Sequence, residues 1–253
     1  MKISVVIAAY NESGNIGPLT SRLVSTLTGL SQSDWELIYV IDGTDGTREI
    51  AETFAVDYPQ IRILHNAQPS GLANAFRRGF EAVSDDADAI VTLDADLNHQ
   101  PEEIPALIAA LASRNGDIVI GSRKVQGAAT TGAPLWKSTL SDNVNKIMRR
   151  LAGMPVADMT SGFRVYSRRA FRQISFASAG FAFLPEILVK AHEQGFRIVE
   201  EPIQFIFRVD GESKMRLIPT ALSYGKFFAA RFLTLGKHVL NRVRLAMAGS
   251  SSH

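Results

Sequence analysis

Apolar runs alternate with amphipathic stretches along the first half of the chain. Residues 2–8 form a largely apolar run, as expected for a strand buried on both faces of a parallel sheet. Apolar residues then recur at helical spacing from Asn15 to Leu30. Further strands are predicted at Trp35–Ile41, Ile61–Leu64, 88–93 and Asp117–Ile120, and further helices at Thr47–Tyr58, Gly71–Val83 and 102–114. This alternation predicts an α/β, Rossmann-like fold whose mostly parallel sheet carries helices on both faces.

The second half has a less regular pattern. The small residues of Gly127–Gly132 predict a mobile loop. Trp136–Leu151 has helical spacing and is basic, and Arg197–Arg208 is predicted to be one long strand or a strand pair broken at Pro202.

The C-terminal segment differs from the rest of the chain in charge. Seven of the 27 basic residues and none of the 25 acidic residues lie from Ser213 onward. On a helical wheel, apolar positions of this segment fall on one arc with cations at its edges: Leu217, Phe228, Phe232, Leu235, Val239, Val243 and Ala246. A basic amphipathic helix of this kind is typical of a membrane interface, so residues 215–248 are predicted to contact an anionic bilayer. The alternative is a helix packed on the domain, and residues 249–253 are predicted to be disordered.

Composition excludes several classes of protein. The 253 residues include no cysteine, so there is no disulfide framework, thiolate metal site or cysteine nucleophile. No apolar stretch approaches about 18 residues, and the N-terminus has the pattern of a first strand. We therefore expect a cytoplasmic protein, peripheral at the cytoplasmic face of a membrane, without a transmembrane helix or signal peptide.

Polar residues follow four of the predicted strands, at the edge where ligands bind in parallel sheets. The most prominent are Asp94 and Asp96, which are one residue apart directly after an apolar strand. The other strand ends carry Tyr10-Asn11-Glu12, Asp42 and Gly121-Ser122-Arg123. Two carboxylates with open coordination positions suit Mg²⁺ or Mn²⁺ shared with the phosphates of a substrate. A polar loop without function is the alternative for the Asp-x-Asp pair alone.

These blocks, taken in order and spacing, resemble those of the family-2 glycosyltransferases of GT-A fold, and most closely the polyprenyl- and dolichyl-phosphate sugar transferases. The resemblance covers about residues 2–216. Its further marks are Thr44-Asp45-Gly46-Thr47, Gly71 with Ala75 and Gly79-Phe80, Asp94 to Glu102, Asp158 to Arg164, Glu186-Ile187-Leu188, Glu201-Pro202-Ile203 and Arg208 to Lys214.

The resemblance implies an inverting transfer of a sugar, with mannose favoured, from a nucleoside-diphosphate sugar such as GDP-mannose to a polyprenyl or dolichyl monophosphate. It divides residues 1–214 into a nucleotide-sugar half (about 1–122) and an acceptor half (about 123–214). It implies metal binding by Asp94, Asp96 and Asn98, and a catalytic set of Asp94, Asp96, Arg123 and Asp158. Donor binding falls to Ala8, Tyr10, Asn11, Glu12, Asp42, Gly71, Asp94, Ala95, Asp96, Arg208 and Lys214, and acceptor-phosphate binding to Arg123, Lys137 and Ser141.

The chain departs from the family pattern at two positions. The nucleotide loop keeps one acid of a usual pair, Asp42, which leaves the base open. Lys137 replaces a usual arginine and offers a point charge in place of a bidentate fork.

Other functions stay as alternatives. The same fold could use a glucose or N-acetylhexosamine donor, or a soluble or polysaccharide acceptor, but a hydroxyl acceptor needs a catalytic base. A non-catalytic, nucleotide-binding subunit that docks on membranes belongs to another class. A dinucleotide dehydrogenase is not expected, because no Gly-x-Gly-x-x-Gly follows the first strand. Nucleic-acid binding is not expected, since the basic tail interleaves apolar positions and carries no readout motif.

Overall fold

The computed structural model describes residues 1–30, 33–207, 220–229 and 231. Its strands are β1 (Lys2–Tyr10), β2 (Asp34–Asp42), β3 (Ile61–Asn66), β4 (Ala89–Thr92), β5 (Ile118–Ser122), β6 (Ala129–Thr131), β7 (Arg164–Ser167), β8 (Ile198–Pro202) and β9 (Gln204–Ile206). Its helices are α1 (Ile16–Thr28), α2 (Thr47–Asp57), α3 (Leu72–Glu81), α4 (Ile104–Ser113), α5 (Leu135–Ala152), α6 (Arg168–Gln173) and α7 (Phe183–Glu193). Residues 220–229 are also helical. Every helix and strand predicted within residues 2–151 is confirmed to within a few residues.

The described strands form a seven-stranded sheet in the order β3-β2-β1-β4-β7-β5-β8. All of its neighbouring pairs are parallel except those of β7, which runs antiparallel to β4 and β5. The mostly parallel α/β prediction is therefore confirmed. Because β7 runs the other way, the residues that precede it arrive at the edge where β4 and β5 end.

The alternating side chains of each strand separate two apolar cores, one on each face of the sheet. Helices α1, α2 and α4 cover the first face, where Ile3, Val5 and Ile7 are fully buried. Helices α3, α6 and α7 cover the second, where Val6 packs among aromatic rings of Phe76 and its neighbours. Burial on both faces explains why β1 is apolar at nearly every position.

The predicted mobile loop at Gly127–Gly132 is wrong as stated, because β6 lies within it and pairs with β9 in a small parallel sheet. The partner strand is more than 70 residues away, so local sequence does not reveal the pairing. The strand pair predicted at Arg197–Arg208 is confirmed as far as it is described. Pro202 ends β8, and β9 leaves for the second sheet two residues later.

Candidate functional site

The loops after β1 and β2 are tied together at the ligand-binding edge of the sheet. Tyr10 and Asp42 are partners in the β1–β2 register. The backbone N–H of Glu12 donates to Thr47 Oγ1 at 2.8 Å, and the N–H of Ser13 donates to Asp45 Oδ2 at 3.1 Å. These bonds bring Tyr10, Asn11 and Glu12 beside Asp42, as the sequence predicts for a nucleotide site. Their role toward a ligand stays a prediction.

The Asp42 carboxylate is buried and held on one side. Ser70 donates from its backbone N–H (2.6 Å) and its hydroxyl (3.0 Å) to Oδ2. Oδ1 has no hydrogen-bond partner among the described residues, and Arg78 Nη1 lies 3.9 Å away. A buried acceptor oxygen without a donor suits a ligand N–H or O–H. Gly71, also predicted for donor binding, starts α3 with a φ of +87° that favours glycine.

Two donor-site predictions concern alanines. Ala95 is buried in the first core, so only its backbone is available to a ligand. Ala8 is half-buried on β1 and packs against the second core.

Asp94 and Asp96 follow β4 in a tight turn that Leu97 closes at a φ of +62°. The Asp94 side chain keeps 38% of its surface exposed. Burial, with a further contribution from the charge of Asp94, raises the pKa of Asp96 to about 6. Burial also raises the pKa of Asp94, against the opposing charges of Arg123 and Arg164. Two carboxylates that repel each other in a poorly solvated site are the surroundings that a divalent cation stabilises.

This carboxylate pair fits Mg²⁺ or Mn²⁺ with incomplete protein coordination. The described residues contain no cluster of three or more acidic or histidine side chains arranged around a metal. Two carboxylates plus ligand phosphates are the set that Mg²⁺ commonly takes. Asn98, the predicted third ligand, donates through Nδ2 to Asp96 Oδ2 at 2.6 Å, and its backbone N–H donates to Oδ1 at 3.1 Å. Asn98 thus orients Asp96, and its own ligation stays a prediction.

His99 is buried directly behind the carboxylate pair. Its ring lies between those of Phe163 and Phe205, with centroid separations of 5.3 and 5.2 Å. Its Nδ1 lies 3.6 Å from Asp94 Oδ2. Burial lowers the pKa of His99 to about 4, so the imidazole is neutral at pH 7.

Arg123 and Asp158 form a buried, bidentate ion pair. Arg123 Nε and Nη2 donate to the two Asp158 oxygens, each at 2.8 Å. Burial opposes ionisation of Asp158, but the Arg123 guanidinium holds the pKa of this carboxyl well below its usual range. The charge of Arg123 also reaches Asp94, whose pKa it lowers. The predicted catalytic residues Asp94, Asp96, Arg123 and Asp158 are therefore brought to one region.

The sequence reasoning missed the residues that hold this ion pair. Thr160 Oγ1 accepts from Arg123 Nη2 at 2.9 Å and from Asn145 Nδ2 at 3.2 Å. Glu200 accepts the backbone N–H groups of Ala157 (2.7 Å) and Asp158 (3.0 Å). Thr160 belongs to the Asp158–Arg164 block, but no local sequence pattern distinguishes Asn145 within its predicted helix or Glu200 within its predicted strand.

Arg164 is a second buried guanidinium near the site. It is fully buried, and it donates to the backbone carbonyls of Ser161 (2.9 Å), Leu184 (2.8 Å) and Met159 (3.0 Å). These bonds fix the segment that carries Asp158, and the charge of Arg164 contributes to the positive potential felt by Asp94.

A cavity of about 510 Å³ lies between the end of β5 and α5. Four cations line it, against the single carboxylate of Asp142: Arg123, Lys124, Lys146 and Arg149. Lys124 Nζ pairs with Asp142 at 2.5 Å, and Arg123 is held by Asp158. The cavity therefore has a surplus of positive charge and suits an anionic group.

The predicted acceptor-phosphate residues are described only in part. Ser141 is half-buried on α5, where its carbonyl accepts from Asn145 Nδ2 at 3.1 Å. Lys137 also lies on α5, but its side chain is outside the described part of the chain. The donor-phosphate predictions Arg208 and Lys214 lie outside the described residues, as do the proposed tail 249–253 and most of 215–248.

Helix α5 exposes a stripe of large apolar side chains. Its members are 41–56% exposed and recur at intervals of four, seven and four residues: Trp136, Leu140, Ile147 and Leu151. Exposed apolar residues at this spacing form one continuous face, here called the α5 stripe. No described helix has the length and hydropathy needed to span a bilayer.

The helix at 220–229 packs on the domain. Phe228, which the helical wheel placed on the lipid-facing arc, is only 5% exposed and belongs to the second core. Tyr224 and Phe227 pack against the same core, and Arg231 pairs with Glu193 of α7. This part of the predicted apolar face is therefore covered by protein.

Solved structures share this architecture. Glucosyl-3-phosphoglycerate synthase from Mycobacterium tuberculosis, in complex with Mn²⁺, UDP and phosphoglyceric acid, superposes with a TM-score of 0.66 at 21% identity, over 92% of this chain and 78% of that one. The same protein with Mg²⁺ and UDP gives 0.64 at 20% identity, over 92% of this chain and 78% of that one. The fold is thus the GT-A fold of nucleotide-sugar glycosyltransferases.

The chain belongs to glycosyl transferase family 2, whose model matches residues 4–175. It is 34% identical to the undecaprenyl-phosphate mannosyltransferase of Micrococcus luteus, over 85% of this chain and 88% of that protein. It is 36% identical to the dolichol-phosphate mannosyltransferase of Pyrococcus furiosus over 85% of this chain. That protein is longer, and the match spans only 60% of its length. The polyprenol monophosphomannose synthase of Mycolicibacterium smegmatis is 32% identical, over 83% and 80% of the two chains.

Proposed function

We propose that this protein transfers a sugar, with mannose favoured, from a nucleoside-diphosphate sugar to a polyprenyl or dolichyl monophosphate at the cytoplasmic face of a membrane. The observation that carries the proposal is the cationic cavity, which is lined by Arg123, whose charge also acts on Asp94. An acceptor phosphate is ionised at neutral pH, since its second pKa is about 6. Such a nucleophile needs cations that let it approach an anionic donor, and the cavity supplies them.

The hydrogen bonds and the low pKa of Asp158 support an anionic acceptor. A hydroxyl acceptor requires a general base within hydrogen-bond reach. Asp158 already accepts from Arg123, from the backbone N–H of Thr160 (3.2 Å) and from that of Ser161 (3.1 Å). With its pKa held low and its oxygens engaged, Asp158 orients Arg123 and is a poor proton acceptor.

On the donor side, Asp94 and Asp96 would hold Mg²⁺ or Mn²⁺, with Asn98 as the predicted third ligand. When bound, the metal neutralises charge on the leaving nucleoside diphosphate as a Lewis acid. Tyr10, Asn11, Glu12 and Asp42 form the wall for the base and ribose. The relatives are named mannosyltransferases, which favours mannose as the transferred sugar, and GDP-mannose is the donor that the family resemblance implies.

The α5 stripe supports the membrane location. Four exposed apolar side chains lie on one face of this helix, and the helical spacing places Arg150 beside that face. Burial of a large aliphatic side chain yields about 1.5–3 kcal/mol, and each cation near an anionic bilayer adds about 1 kcal/mol. These features support a bilayer contact on α5 in addition to the tail predicted at 215–248, on a helix that also lines the cationic cavity proposed to receive a lipid phosphate.

The test is a transfer assay with short polyprenyl phosphate, Mn²⁺ or Mg²⁺, and GDP-mannose, UDP-glucose or UDP-N-acetylglucosamine as donor. We expect a lipid-phosphate sugar from one donor, dependent on the metal, and no product with Asp96→Asn. Product from a polyprenol without phosphate would contradict the role of the cationic cavity. Donor binding without any lipid product would favour a soluble acceptor or a docking subunit.

A further inference from the structure

The Asp94 carboxylate lies directly against the backbone of Gly162. A Cβ placed on Gly162 would stand 2.9 Å from Asp94 Oδ1 and 3.3 Å from both Cγ and Oδ2, and these are its three nearest atoms. The approach is closer than a methyl group and a carboxylate oxygen tolerate. Gly162 has no positive φ, so the backbone conformation does not require a glycine here. A glycine is required because Asp94 occupies the space that a side chain would need.

The backbone at Gly162 is fixed and cannot retreat from an added methyl group. Its carbonyl accepts from Thr92 Oγ1 of β4 at 2.8 Å. On the two sides of it, Ser161 Oγ donates to the Gly121 carbonyl at 2.7 Å, and the Gly121 N–H donates to the Phe163 carbonyl at 2.8 Å. These bonds tie the segment to β4 and β5 together. A side chain at residue 162 would therefore displace the carboxylate and leave the backbone in place.

The other carboxylate oxygen of Asp94 faces a buried ring. Asp94 Oδ2 faces His99 Nδ1 at 3.6 Å, and the His99 ring is itself fixed between Phe163 and Phe205. The carboxylate thus lies between a buried ring and a bare stretch of backbone. A side chain at residue 162 would therefore push the Asp94 carboxylate out of the orientation that it has between this ring and the backbone.

We propose that Gly162 is a positioning residue, whose missing side chain forms the seat that holds Asp94 in its metal-binding orientation. The inference rests on the proposed function, in which Asp94 binds the divalent cation of the donor complex. Residues that orient metal ligands without touching the metal typically change its affinity by about 10- to 100-fold when they are altered. We expect a loss in this range for Gly162→Ala.

The experiment measures Mn²⁺ affinity in the presence of GDP or UDP, by electron paramagnetic resonance, together with the melting temperature. Gly116→Ala is the matched control, because a Cβ there also comes within 2.9 Å of a neighbour, Val199 Cγ2, away from the carboxylate pair. Gly14→Ala is the control without a clash, since nothing lies within 4 Å. Of these three variants, we expect only Gly162→Ala to bind Mn²⁺ more weakly than the parent protein.

Asp94→Asn separates the inference from the proposed function. If Asp94→Asn weakens Mn²⁺ binding and Gly162→Ala does not, the seat is refuted and the metal site stands. If neither variant weakens it, both are refuted.

A double-mutant cycle tests the seat without metal. Asp94→Ala removes the carboxylate with which an alanine at 162 would collide. The decrease in melting temperature of the double variant should therefore be smaller than the sum of the decreases of the two single variants. If Gly162→Ala alone does not fold, the double variant should still fold. Additive losses, or a double variant that also fails to fold, would overturn the proposal.

Discussion

Arg123 meets both carboxylate oxygens of Asp158 through two parallel hydrogen bonds of 2.8 Å, in a site where Asp158 is fully buried. The pairing fixes the guanidinium plane, which also lies over the Phe205 ring with 5.2 Å between Cζ and the centroid. Arg123 therefore faces the cationic cavity in one defined orientation. Under the proposed function, this fixed orientation would present its charge to an incoming phosphate without further reorganisation.

Asp158→Asn is expected to lower both stability and transfer activity. The change leaves Arg123 buried without its counter-charge, and breaking a buried pair on one side costs about 3–5 kcal/mol. Urea denaturation of the variant measures the loss. Asp85→Asn is the control, because its pair with Arg172 is on the surface and is worth at most about 1 kcal/mol. Equal losses in the two variants would show that the Arg123–Asp158 pair has no special energetic role.

Glu36→Gln is expected to change the pH dependence of stability and to leave transfer activity intact. Burial opposes ionisation of Glu36, but donors from Ser4 (2.5 Å) and Ser84 (2.8 Å) hold its pKa below the ordinary value. The folded state therefore favours the ionised form. The ionised Glu36 therefore adds to the free energy of unfolding at pH values above the ordinary pKa of about 4.3. This stabilisation is lost as the pH falls through the lower pKa of the folded state.

Unfolding free energies of the parent and Glu36→Gln should thus differ by about 1–3 kcal/mol at pH 7 and converge as the pH falls toward 3. Glu52→Gln serves as control, since its pair with Arg48 is an exposed i,i+4 contact. A difference that stays constant between pH 7 and 3 would rule out ionisation as its source.

Ile147→Glu should weaken binding to anionic liposomes. The substitution places a negative charge in the centre of the α5 stripe, which removes apolar burial and adds repulsion from the lipid headgroups. A loss of about 1.5–3 kcal/mol corresponds to a decrease of at least tenfold in the partition coefficient. Val56→Glu on α2 is the matched control, because Val56 is 81% exposed and lies outside the stripe. Liposome co-sedimentation measures both variants, and equal binding would exclude α5 from the membrane contact.

Phe228→Ala is expected to destabilise the domain by about 3–5 kcal/mol, the usual cost of removing a buried aromatic side chain. Leu222→Ala on the same helix should change stability by less than about 0.5 kcal/mol, since Leu222 is 60% exposed. Thermal or urea unfolding distinguishes the two. If Phe228→Ala has no more effect than Leu222→Ala, the helix at 220–229 does not contribute to the second core in solution.

Much of the donor side could be predicted because parallel strands deliver their carboxyl ends to one edge. Once β1, β2 and β4 are recognised from apolar runs, Tyr10, Asp42 and Asp94 must lie along that edge. The resemblance alone predicts that Asp158 lies near the reacting centre, and its pairing with Arg123 is seen only in the structure. The position of Asp158 follows from the antiparallel direction of β7. This strand is only four residues long, and its sequence has no pattern that predicts its direction.

Local patterns in the chain were enough to establish the α/β class, the order of most elements, the Asp94–Asp96 pair and the absence of cysteine chemistry, because periodicity and residue type act over short distances. Three-dimensional packing was needed for the contacts that join distant segments: the pairing of β6 with β9, the burial of Phe228 and the exposure of the α5 stripe. The seat of Asp94 against Gly162 belongs to the same group, since no residue type reveals a carboxylate 68 positions away. Burial and close approach depend on which surfaces meet, and that is a property of the folded chain.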